Sequence, residues 1–206
     1  MSHVVIVGNG GHARACLDAW PSSSLLTPAG CVGPVPGDVL GLRYLGDDDS
    51  LLELVAAGFR LAFVALGSNS LRATVTRRCT ESGFEIVTIV APSAQVGATA
   101  RLGAGSIVLH GVVLGANAKV GRGSIVNTSA TVDHDCVVGD FVHIAPGANL
   151  AGSVVVGDYA IVGIGASVVP GVQIGPGATI GAGAVVLHDV AEGQTVVGVP
   201  AQELKR

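Results

Sequence analysis

His134 stands between Asp133 and Asp135 at the end of the run Asn127-Thr128-Ser129-Ala130-Thr131-Val132-Asp133-His134-Asp135-Cys136. A neutral imidazole beside carboxylates suits a proton acceptor working at pH 7, because histidine titrates near there and a neighbouring anion raises its proton affinity. A solvated corner histidine has the same surroundings, so the residue types alone leave both readings open. In an extended segment the two flanking aspartates cannot both turn toward the ring. Cys136 has the chemistry of a nucleophile, yet it fills a slot held elsewhere by Ala or Ser, which reads as a small buried residue. Cys16, Cys31 and Cys79 form no C-x-x-C pair with it or with one another and read as reduced and buried. A zinc cage would need three ligands. His134 and His143 are nine residues apart with no H-x-x-x-x-H, so a third ligand would have to come across an interface, and no metal is expected.

The element that must carry His134 is a six-residue repeat running from Val90 to Ala191, each unit opening on an aliphatic residue. Position two is most often glycine (Gly97, Gly103, Gly115, Gly121, Gly139), and position five is small (Ala94, Ser106, Ala118, Ala130, Ala148). No helix has this period, and Pro146, Pro170 and Pro176 would break one repeatedly. A parallel solenoid with three six-residue edges per coil satisfies the pattern. Residues eighteen apart then stack, so Val96, Leu114, Val132, Leu150, Val168 and Val186 form one inner ladder with steps of roughly 4.8 Å. Position three, which includes His134, faces outward at a corner. His188 shares that edge three coils away, His110 belongs to another edge, and both read as surface histidines.

Glycine supplies 31 of 206 residues and aromatic residues only 3%, which suits a narrow prism with thin aliphatic layers. The net charge is −4 with no run of lysine or arginine, so neither a nucleic acid nor an anionic membrane is an expected partner. The uncharged stretch from Tyr159 to Leu187 keeps the sixfold register and is interrupted by glycine and proline, unlike a lipid-facing helix. With no secretory signal in view, a cytoplasmic location is expected.

Residues 1–89 follow a different grammar and read as a small Rossmann-like βαβαβ unit; residues 90–206 read as the all-β solenoid with a short C-terminal cap. The expected elements are a strand from His3 to Val7, a glycine loop Gly8-Asn9-Gly10-Gly11-His12-Ala13, and a helix from Arg14 to Trp20. A helix over Asp47 to Ala57, a strand over Leu61 to Leu66, a helix over Leu71 to Ser82 and a strand over Phe84 to Ile89 follow. The loop fits G-x-G-x-x-A, but Cys31-Val32-Gly33-Pro34 offers no carboxylate for a ribose, which argues against NAD.

Taken together, G-x-G-G-H, Gly46-Asp47-Asp48, the G-x-N-x-x-R of Gly67, Asn69 and Arg72, the hexapeptide solenoid, and the run through Gly139-Asp140-Phe141-Val142-His143-Ile144 resemble hexapeptide-repeat acetyltransferases of the NeuD/PglD type. That resemblance implies a left-handed β-helix and acetyl-CoA as co-substrate, with no metal. It also implies a homotrimer with a CoA cleft between neighbouring helices. His134 becomes the general base and Asp135 its acidic partner, one methylene shorter than a glutamate that can stand there. His143, Gly152, Ile164 and Ala182 fall at CoA-binding positions, and Gly10, Gly11, His12, Gly67 and Asn127 at acceptor-binding ones. Asn127, His134, Asp135 and His143 share one coil. The implied reaction is N-acetylation of a nucleotide-activated amino sugar bridging His12 and Gly67 to His134 of the same or a neighbouring subunit. O-acetylation of a sialic acid or other sugar is the alternative; a trimeric carbonic anhydrase-like metalloenzyme and a non-catalytic scaffold are the remaining classes. A Gly198-Val199-Pro200-Ala201 ending fits either a CoA contact or a cap.

Overall fold

The computed structural model describes residues 2–22 and 25–204. Its first part is a five-stranded parallel sheet built from β1 (Ser2–Val7), β2 (Leu26–Val32), β3 (Tyr44–Gly46), β4 (Leu61–Val64) and β5 (Glu85–Ile86), in the order β3-β2-β1-β4-β5. Between them run α1 (Gly11–Asp18), a 3₁₀ turn (Asp48–Ser50) leading into α2 (Leu51–Ala56), and α3 (Asn69–Ser82). The expected Asp47–Ala57 helix is therefore split: the Asp47 carboxylate caps the turn by accepting from Asp49 N at 3.0 Å. The helix expected from Arg14 begins three residues earlier, at Gly11, with Gly10 in extended conformation before it, so His12 lies in the first turn. Ser68 opens α3 by accepting from Leu71 N, and Gly83 closes it with φ +104°, a conformation open to glycine at little cost. The strand expected over Phe84 to Ile89 divides between two sheets, Glu85–Ile86 joining β4 and Ile89–Val90 starting the solenoid.

From Ile89 onward, two-residue strands stack into three parallel walls. Wall one carries Ile89–Val90, Ile107–Val108, Ile125–Val126, His143–Ile144, Ile161–Val162 and Thr179–Ile180; wall two runs from Gln95–Val96 to Val185–Val186; wall three runs from Arg101–Leu102 to Gln173–Ile174. As far as Val186, register pairs residues eighteen apart, such as Leu114 with Val132 and Val132 with Leu150, so the inner ladder expected from Val96 to Val186 exists; in the last coil the spacing shortens to sixteen, Val190 meeting Ile174 and Thr195 meeting Thr179. The ladder's aliphatics from Leu114 to Val186 and the small residues at position five (Ala118, Ala130, Cys136, Ala148, Ala166, Ala184) fill one continuous core, while Val96 in the first coil stays exposed. Glycine at position two follows from the stacking: a Cβ on Gly115 would lie 2.6 Å from His134 N in the next coil. The C-terminal strand Thr195–Val197 extends wall one and folds back on Gln202–Glu203, and Ala201 packs on the core.

The two parts share a second core. Ile89, Ile107 and Ile125 point outward from wall one and pack with Val4, Ile6, Ala13, Cys16 and Phe63 of the α/β unit. Arg72 locks this contact. Its buried guanidinium donates to the carbonyl oxygens of Gly123 (2.5 Å), Phe141 (3.2 Å) and Val142 (3.3 Å) on the solenoid, and to those of Leu66 and Gly67 on its own side. Asn69 accepts from Arg72 at 2.8 Å and donates to the carbonyls of Tyr159 and Ala160. Burial without a carboxylate partner lowers the Arg72 pKa to about 10.

Candidate active site

His134 occupies the corner between walls two and three. The segment is a turn rather than extended chain, since Asp135 has φ +58°, the left-handed region that glycine fills at the corners Gly123, Gly147 and Gly165. This conformation settles the question of the two aspartates. Asp133 accepts from the His134 backbone N at 2.7 Å, while Asp135 Oδ2 lies 2.9 Å from His134 Nδ1. Asp135 also accepts from Asn117 Nδ2 at 3.1 Å, so its shorter side chain still reaches the ring and is itself held.

Electrostatics follow from these contacts. The hydrogen bond to His134, then the one to Asn117, holds the Asp135 carboxyl below its ordinary pKa. The bond to Asp135, then the charge of Asp133, raises that of His134. An ionised carboxylate only accepts, so Nδ1 must donate to it. Nε2 of the neutral ring therefore carries the free lone pair. The ring lies over Gly152 one coil further on, where a Cβ would fall 2.5 Å from Cε1 and Nε2. Gly152 is buried and its N–H finds no acceptor among the described residues. A proton acceptor and a backbone donor thus sit side by side, the two parts that addition to a carbonyl requires.

A second group lies on wall one. His143 occupies the outward ladder Ile107, Ile125, His143, Ile161, at the edge of the surface that the α/β unit covers. Asn127 Oδ1 accepts from Thr128 N at 2.8 Å, which fixes the amide orientation, and its Nδ2 donates to His143 Nε2 at 3.0 Å. His143 must then be neutral at that nitrogen. The His12 ring is 6.5 Å from that of His143, and its buried Nε2 has no hydrogen-bond partner among the described residues. Burial first, then mutual repulsion and Arg72, lowers the His12 pKa to about 4; burial and Arg72 do the same for His143. Gly10 and Gly11 are exposed with open space where a Cβ would be, and Gly67 is half-buried with its carbonyl held by Arg72. A Cβ at Gly33 would fall against the Asn9 side-chain amide, which would have to move aside.

Within one chain these groups do not meet. Asn127, His143 and His12 belong to wall one, and His134 to the corner opposite that wall, although all three solenoid residues fall in one coil of sequence. Ile164 and Ala182 stack on a third position, the corner between walls one and two, where both are exposed and Gly183 N donates to Ile164 O at 2.8 Å. A ligand bridging His12 and His134 of the same chain would have to pass around the prism.

The remaining chemistry-bearing residues have structural places. Cys136 is buried, donates to Ala151 O at 3.1 Å, and has its pKa raised by burial, so it is no thiolate. Cys16, Cys31 and Cys79 are free and buried. His110 is more than a surface residue: Nδ1 lies 2.7 Å from Ser93 Oγ and Nε2 3.3 Å from Asp18 O, joining the first coil to the end of α1. No helix among the described residues is long and apolar enough to cross a membrane.

Comparison with known proteins agrees with this architecture. Residues 3–79 match the PglD N-terminal domain and residues 153–188 the bacterial transferase hexapeptide (six repeats). A variant of perosamine N-acetyltransferase from Caulobacter crescentus, solved in complex with CoA and GDP-perosamine, is 39% identical with a TM-score of 0.96, over 100% of this chain and 98% of that chain. The acetyltransferase domain of PglB from Neisseria gonorrhoeae, in complex with acetyl coenzyme A, is 36% identical with a TM-score of 0.90, over 98% of each chain. WeeI from Acinetobacter baumannii is 25% identical with a TM-score of 0.87, over 99% of this chain and 100% of that one. Comparison with curated proteins returned no match. Fold and relatives define an acyltransferase built on a parallel β-helix. The chain belongs to the PglD/NeuD-type family of hexapeptide-repeat acetyltransferases.

Proposed function

We propose that the protein transfers acetyl from acetyl-CoA to the amine of a nucleotide-linked amino sugar, with His134 as general base. The observation that carries this reading is the His134–Asp135 pair: a ring oriented by a carboxylate, its free Nε2 beside an unpaired backbone N–H, in a chain matching a perosamine N-acetyltransferase end to end. The amine nitrogen attacks the thioester carbonyl carbon as Nε2 takes its proton. Gly152 N–H supports the oxyanion. Collapse breaks the C–S bond, and the departing sulfur receives the proton from the imidazolium, restoring the base.

The opposite placement of His134 and wall one supports a shared site, with His134 of one protomer facing His12, Asn127, His143 and the glycine loop of a neighbour, in the homotrimer that three prisms side by side would make. Ile164 and Ala182 would line the path of CoA along that cleft. Because acetyl-CoA is a cytosolic metabolite, the reaction belongs in the cytoplasm. The direct test is thiol release from acetyl-CoA against GDP- and UDP-linked amino sugars, sialic acids and simple amines. Turnover confined to the nucleotide-linked amines is expected, and turnover of sialic acid hydroxyls alone would transfer the assignment to O-acetylation. His134→Ala should lower kcat by about 10² or more with the fold kept, the side chain being exposed.

A further inference from the structure

We propose that Arg101 and Lys119 form a phosphate-binding subsite beside the His134–Asp135 pair, one that takes the diphosphate of the acceptor; this rests on the acceptor being nucleotide-linked. The two residues are directly in register on the outer face of wall three, followed in the same ladder by Val137. Two cations side by side on adjacent strands, roughly 4.8 Å apart, repel each other and destabilise the pairing unless an anion lies between them.

Neither has one among the described residues. The Arg101 side chain donates only to the neighbouring Ala100 carbonyl at 3.0 Å, and Lys119 makes no side-chain hydrogen bond or ion pair among the described residues. The contrast with Arg122, the one other Lys or Arg between residues 90 and 204, is direct: it is paired with Asp140 at 2.7 Å. The unpaired cations of the solenoid are thus gathered at one place. They line, with Thr99, Asn117, Asp135 and Val137, an open cavity of 420 Å³. Asp135 and Asn117 are the residues that hold the base, so the cavity adjoins the His134–Asp135 pair on the Nδ1 side of the ring.

The dimensions suit the acceptor. In a nucleotide-linked amino sugar a single ring separates amine from diphosphate, and here one or two rungs separate His134 from the two cations. On the neighbouring protomer the glycine loop offers N–H groups and the neutral His12, which leaves the diphosphate charge to be met from this side. The same chemistry would fit the phosphates of CoA, so the test must separate the two.

Arg101→Gln, Lys119→Gln and the double variant, in the full chain, should raise the KM for GDP-perosamine at least 10-fold in the double variant. The KM for acetyl-CoA should stay within twofold. An unchanged GDP-perosamine KM overturns the proposal, and a rise confined to acetyl-CoA overturns it by giving the pair to the co-substrate. A fall in the solution mass of the double variant also overturns it, because the pair would then be an intersubunit contact. Should the wild type turn over no nucleotide-linked amine, the proposed function fails and calorimetry with GDP and UDP decides the subsite separately. Weaker binding by the double variant sustains the subsite, whereas equal affinity, or no wild-type affinity for either nucleotide, removes it.

Discussion

At the scale of single residues, catalysis depends on which nitrogen of His134 bears the proton. Asp135 is held in a left-handed conformation that costs a non-glycine residue about 1 kcal/mol, and this lets its carboxylate bend back onto Nδ1. The neutral ring is the competent base, so kcat/KM should fall as pH drops through a His134 pKa lying above the ordinary histidine value. Asp135→Asn removes the leading cause of that elevation. Its profile between pH 5.5 and 9 should show the acid limb displaced to lower pH and a reduced plateau; a limb that stays in place would show that Asp135 does not set it. His12 and His143 obey the opposite sign. Burial lowers both to about 4, so each contributes stability that is complete above about pH 6.5 and is lost as pH falls toward 4. The loss amounts to about 3 kcal/mol per histidine as an upper figure. Urea unfolding at pH 7.5, 5.5 and 4 should show that decline, and His12→Asn with His143→Asn should flatten it.

At the scale of elements, Gly152 shows how one coil shapes the next. Its conformation is open to alanine, yet the added methyl would meet the His134 ring at 2.5 Å. Gly152→Ala should therefore displace the ring and cut kcat by 10-fold or more while Tm changes by only a few degrees; an unaltered kcat would place the working position of the ring elsewhere. The repeat was legible in the sequence because each unit opens on an inward aliphatic, and the inner ladder follows from counting by eighteen. Three things were less legible. The outward face was readable in principle, since Ile89, Ile107, Ile125, His143 and Ile161 recur at intervals of eighteen, but a sixfold count merges them with Arg101 and Lys119 on another wall. The Asn69–Arg72 lock appears in sequence only as a motif, because its partners are backbone carbonyls that no side chain announces. The splitting of Asp47–Ala57 turned on the Asp47 cap, a local bond that competes with helix.

At the scale of the whole molecule, proximity in sequence misleads about proximity in space. His134 and His143 are nine residues apart, half a coil, which carries the chain from a corner to the opposite wall. A shared site then makes a strong expectation about mixed assemblies. His134→Ala and His143→Ala chains, each inactive alone, should regain a fraction of wild-type turnover when unfolded and refolded together, because some clefts would combine an intact corner with an intact wall. Absence of any recovery, with mixing verified by mass, would mean that both histidines act within one chain.

The unbroken register from Val90 to Val186 also constrains how such a chain can change length. Adding or removing six residues turns everything downstream by a third of a revolution and moves each outward side chain to another face. Only multiples of eighteen restore the faces, so duplication or loss of one full circuit between Gly152 and the C-terminal cap would lengthen or shorten the rod while leaving its chemistry aligned. Evolution of this architecture should therefore proceed in whole circuits, with single-unit insertions surviving only where they bulge out as loops.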